Sequence, residues 1–86
     1  MRLKIDASRV VHIVYKNWQG ETAVRKILPI RLWFGKTEWH PEEQWLLTAH
    51  DMGKDAPKTF AMKDVRYWGM SEKDANGILE EVSENG

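Results

Sequence analysis

Between Arg9 and Asn17 the chain reads Arg-Val-Val-His-Ile-Val-Tyr-Lys-Asn, a run of β-branched and aromatic residues that predicts a strand. Asn17-Trp18-Gln19-Gly20 is a turn signal, and Gly20 suits the left-handed position of a type I turn followed by a bulge. The return strand is expected over 21–33. A three-residue loop fixes its register, so that Tyr15 faces Ala23, Ile13 faces Arg25 and Val11 faces Ile27. These six share one face, which sends Arg25 among apolar neighbours. The other face carries Val10, His12, Val14, Val24, Lys26 and Leu28. Two half-apolar faces predict a curled sheet covered on both sides.

Pro29 removes a ladder donor and marks an edge or a bend in this long strand. A loop is expected over 34–43, a third strand from Gln44 to His50, a turn over 51–57 and a fourth strand from Lys58 to about Val65. Alternation puts Trp45, Leu47 and Ala49 on one face, and Phe60 and Met62 on one face of the next strand. Trp45 is expected to be largely buried, with Phe60 nearby. The period then changes. Ser71 is a good N-cap, Glu72 and Asp74 occupy the first turn, and Ala75, Ile78, Leu79 and Val82 follow helical spacing. A helix is therefore expected over about 71–84, with Asn85-Gly86 suited to close it. The expectation is a single mostly β domain spanning 1–86, of antiparallel strands with one C-terminal α-helix.

Composition narrows the chemistry. With no cysteine, disulfides and thiolate metal sites are excluded. No apolar run approaches the roughly 20 residues that span a bilayer, and Met1 to Asp6 lacks the apolar stretch of a signal peptide. A cytoplasmic location without membrane contact is the expectation. The serines lack any nucleophile-elbow context, and Gly35-Lys36-Thr37 lacks the earlier glycine of a phosphate loop. No enzyme activity and no cofactor are expected. His40-Pro41-Glu42-Glu43 with His12 or His50 offers imidazoles and carboxylates, but Pro41 bars a helical arrangement that would align them, so no metal site is expected. Net charge is zero, yet residues 1–40 hold eight Lys/Arg against three Asp/Glu, and residues 41–86 hold five against ten. A folded surface with a basic side and an acidic side is one outcome of that split; ordinary scatter is the other.

Five tryptophans, Trp18, Trp33, Trp39, Trp45 and Trp68, are too many to be fully buried in 86 residues. Arg25, Lys58 and Arg31 belong to strands rich in Tyr15, Trp33, Trp45 and Phe60. Cations that meet phosphates beside rings that stack on bases are how small β domains hold nucleotides and single strands. The plainer alternative is that these cations snorkel over an aromatic core. Two functional readings follow: a ligand-binding regulatory module, and a module for protein–protein interaction or self-association through exposed tryptophans and the C-terminal helix.

Four short patterns recur in order: Ile13-Val14-Tyr15, Arg25-Lys26-Ile27-Leu28-Pro29, Trp45-Leu46-Leu47, and Lys58-Thr59-Phe60-Ala61-Met62-Lys63-Asp64-Val65. In order and spacing they resemble a WYL domain over roughly residues 9–67. The stretch from Trp33 to Glu42 is similar to compact WYL-like proteins of bacteria and their phages. The resemblance implies an Sm-like or SH3-like β-barrel over about 9–67. It also implies a role in ligand sensing and transcription regulation, since WYL domains usually follow a DNA-binding winged helix, for which residues 1–8 and those after 68 leave no room. The ligand surface it implies comprises Tyr15, Arg25, Trp45 and Lys58, with a nucleotide or single-stranded nucleic acid as ligand. Three positions depart from the family pattern: Leu46 stands for the tyrosine of the name-giving triplet, Lys58 for the usual arginine, and Asp64 for a frequent second arginine. A protein partner or a homodimer is the alternative to such a ligand.

Overall fold

The structure, a computed structural model, describes residues 7–84. After a short 3-10 turn at Ala7–Arg9 come β1 (Val11–Lys16), β2 (Thr22–Gly35), β3 (Gln44–Asp51) and β4 (Ala56–Ala61). A second 3-10 turn at Met62–Asp64 leads to β5 (Val65–Gly69) and then α1 (Glu72–Glu84). The strands form one antiparallel sheet in the order β4-β3-β2-β1-β5.

The first hairpin follows from its turn chemistry. Gly20 has φ +84°, a value an L side chain adopts only with strain. The Asn17 side chain accepts from the Gln19 and Glu21 N–H groups, which holds the turn from inside. The resulting register pairs Tyr15 with Ala23, Ile13 with Arg25 and Val11 with Ile27, as the loop length requires. β2 then bends. Its pairing with β3 shifts between Pro29 and Arg31, a bulge at the residue after the proline.

Three expectations are corrected. Phe34 and Gly35 belong to β2 and pair with Trp45 and Gln44, so the loop begins at Lys36. The expected fourth strand ends at Ala61, because Met62–Asp64 turn as a 3-10 helix and break the alternation. The chain beyond it forms a fifth strand, β5, which pairs along β1 with a bulge between Val14 and Tyr15.

One face of the sheet buries Val11, Ile13, Tyr15, Ile27, Leu47, Ala49 and Phe60 as a continuous core, with Met62 and Val65 packed at its margin. α1 lies against β1, β2 and β5. Its buried Ala75, together with Val14 on the opposite face of β1, forms the second covered layer. Ser71 caps the helix, its hydroxyl accepting from the Asp74 N–H. Asn85 and Gly86, expected to close the helix, lie outside the described residues.

The sheet is strongly curled. β4 and β5 are its opposite edges, yet only Met62–Asp64 separate them in sequence. Tyr15, on β1, reaches Ala61 at the end of β4, whose N–H donates to the Tyr15 hydroxyl at 2.9 Å. Among the described residues no ladder joins β4 to β5, so the sheet is curled and open where the family resemblance implies a closed barrel. No helix among the described residues is long and apolar enough to cross a membrane.

Candidate functional site

The curl creates a cavity of about 510 Å3 at one end of the sheet. Its floor is Tyr15 on β1 and Phe60 on β4, which meet edge to face with ring centroids 4.9 Å apart. The Tyr15 hydroxyl has a pKa raised above the ordinary tyrosine value. Burial is the main cause and Asp64 adds to it, against the lowering effects of the Ala61 hydrogen bond and Arg25. Tyr15 is therefore a fixed structural ring at neutral pH, with its oxygen committed to the β4 backbone.

The walls are cationic. Arg25 enters from β2, Lys58 from β4 and Lys54 from the β3–β4 turn, and the His40 imidazole joins them from the β2–β3 loop. No carboxylate lines the cavity among the described residues, although the chain as a whole has zero net charge. Burial pushes the Lys58 ammonium below its usual pKa, repulsion from Lys54 and Arg25 pushes it further, and Asp51 opposes both. Such a cluster favours any arrangement that brings an anion in.

One anion stands behind the wall. Asp51, at the end of β3, is 2% exposed and lies 3.7 Å from the Arg25 guanidinium. Its Oδ1 accepts from the Gly53 and Lys54 N–H groups and shapes the β3–β4 turn. The ion pair is long. Asp51 Oδ2 and Arg25 Nε are both shielded from water and neither has a hydrogen-bond partner. Arg25 is thus charge-balanced from behind, with its Nε–H unsatisfied as a donor.

The rim is aromatic. Trp18, in the β1–β2 turn, and Trp39, in the β2–β3 loop, stack with centroids 6.2 Å apart and 28° between planes. They are 72% and 65% exposed, so neither is core filler. A straight β2 would hold its ends about 43 Å apart. The stack therefore depends on the bend at Pro29 and on the loop 36–43 folding back over the sheet.

Of the four residues singled out by sequence, Tyr15, Arg25 and Lys58 line this one cavity. Trp45 does not. It is 54% exposed, pairs across the ladder with Phe34, and rests edge-on against that ring at 5.4 Å. The expected burial of Trp45 beside Phe60 is corrected: β4 begins pairing with β3 only at Leu46, so Trp45 has no β4 residue beside it. Phe60 lies opposite Leu47 instead. Sequence reasoning did not assign Trp18, Trp39, His40 or Lys54 to the site. The available signal was large aromatic residues in turns, where local structure gives them nothing to bury against. His12, His40 and His50 do not converge, and among the described residues no three His, Asp or Glu side chains are grouped to hold a metal ion.

Fold and site together define a small curled antiparallel sheet with a covering helix and one cationic, aromatic-rimmed cavity. Comparison with known proteins finds no matching family model, no curated relative and no similar solved structure.

Proposed function

We propose that this chain is a non-enzymatic ligand-binding regulatory module of WYL type that takes a nucleotide or a short stretch of single-stranded nucleic acid in the cavity over Tyr15 and Phe60. The observation that carries this reading is the wall composition: Arg25, Lys54 and Lys58 converge on a cavity that no carboxylate lines among the described residues, beneath an exposed tryptophan stack. Phosphate oxygens answer the cations. A base answers the rings, and stacking of this kind contributes about 1–3 kcal/mol per base. The volume lies within the usual range for small-ligand sites, about 300–1,000 Å3. Closure of the sheet into an Sm-like barrel belongs to the same proposal and is supported by the three-residue link between its two edge strands.

The test is binding of short single-stranded DNA and RNA oligonucleotides and of nucleotides at low salt, read by quenching of Trp18 and Trp39 fluorescence. Arg25→Ala is expected to weaken that binding while the protein still melts cooperatively. The Arg25–Asp51 pair also supports a purely structural role for Arg25, with the protein acting as an interaction module. In that case the parent shows no binding at low salt and Arg25→Ala only lowers the melting temperature. That result removes the ligand-binding reading.

A further inference from the structure

β2 is longer than the strand beside it. β1 covers β2 only from Thr22 to Ile27, whereas β3 pairs with it as far as Gly35. From Leu28 to Gly35 the other edge of β2 has no strand partner among the described residues. The same stretch exposes large apolar side chains: Ile30 at 60%, Leu32 at 56% and Phe34 at 54%, with Trp45 at 54% on the neighbouring strand. An open edge with exposed apolar side chains is a template for another strand. This patch is separate from the cavity, which none of these four residues lines.

We propose that this edge docks a second copy of the same chain, β2 against β2, antiparallel about a twofold axis at Leu32. The sequence is self-complementary about that point. With Leu32 facing its own copy, Ile30 lies opposite Phe34, and Arg31 lies opposite Trp33. Apolar meets apolar, and no like charges meet between residues 29 and 35. Arg31 already stands over the Trp33 ring of its own chain at 5.4 Å, so the cross-pair repeats an existing cation–ring contact. Pro29 and the bulge beside it cannot extend the ladder, which keeps the contact short and closed rather than fibre-forming. Four half-exposed side chains, each hiding roughly 100 Å2, give on the order of 800 Å2 over both copies before any backbone is counted, at the low end for specific contacts. The dimer is therefore weak and concentration-dependent.

The chain has no cysteine, so single-cysteine variants report the axis directly. In Leu32→Cys the two sulfurs meet across the twofold, within reach of a disulfide. Under mild oxidation this variant is expected to form a linked dimer faster than a Trp18→Cys control, whose site is more exposed but remote. Sedimentation velocity on the full chain is expected to show dimer growing as concentration rises. Leu32→Lys should abolish it without moving the melting temperature, and Trp68→Lys, an exposed ring on β5, should leave it intact. A parent that stays monomeric at about millimolar concentration, far above a typical contact affinity, overturns the proposal. So does a Leu32→Cys variant that links no faster than Trp18→Cys, or association that Trp68→Lys removes and Leu32→Lys does not.

Discussion

Arg25 shows how one residue carries both readings of this protein. The hairpin register places it on an apolar face, where an unpaired guanidinium is costly, so an anion had to be near. That anion is Asp51. Asp51 sits at the end of a strand whose register with β2, opposite Ile27, is set by the bulge after Pro29. Pro29 marks the bend in the sequence, but no local pattern says which residue of β3 then meets Ile27. Lys58 gives the sharper test. Its pKa lies below the ordinary lysine value, so between that lowered value and the unfolded value the unfolded chain binds more protons, and stability rises with pH through that window. Below the window the charged Lys58 works against folding. Lys58→Met is therefore expected to keep or raise the melting temperature at neutral pH and to weaken oligonucleotide binding. A lower melting temperature with unchanged binding would show Lys58 to be a structural residue only.

At the scale of elements, turn chemistry and period were enough for the first hairpin and the helix. Gly20 fixed one and Ser71 opened the other, both through backbone effects that act within a few residues. Gly20→Ala tests this in isolation. A Cβ there meets nothing within 4 Å, so the expected loss of about 1 kcal/mol, measured by chemical denaturation, reports the positive φ alone. The third and fourth strands were legible as strands but not as to cover. Trp45 and Leu47 share a face by alternation, yet Leu47 is 4% exposed and Trp45 is 54% exposed, because β4 runs beside one and stops short of the other. Leu47→Ala is expected to cost about 2–5 kcal/mol. Trp45→Ala is expected to cost less than Leu47→Ala, since about half of the Trp45 surface stays in water on folding. Equal losses in denaturation would reverse this assignment. The break at Met62–Asp64 and the fifth strand were not legible, because the residues from Lys58 to Val65 continue to look strand-like until the chain has to turn the corner of the curled sheet.

For the whole molecule, zero net charge concealed a polarised distribution. The basic excess of residues 1–40 contributes Arg25 to the cavity, while Lys54 and Lys58 come from the half that is acidic in total. If three cations meet phosphates of a bound single strand, the logarithm of affinity should fall against the logarithm of salt concentration with a slope of about −2. A slope near zero would mean that apolar contact, not phosphate, holds the ligand. The sequence by itself determined the strand periodicity, the register of the first hairpin, the capped helix and the pool of cations and rings, because each depends on neighbours a few residues apart. The tertiary structure alone decided which of those residues meet. The folding of loop 36–43 onto the first turn and the arrival of Asp51 behind Arg25 bring together residues 21 and 26 positions apart. They depend on how the sheet curls to bury its two faces, a balance of packing over the whole chain that no short stretch contains.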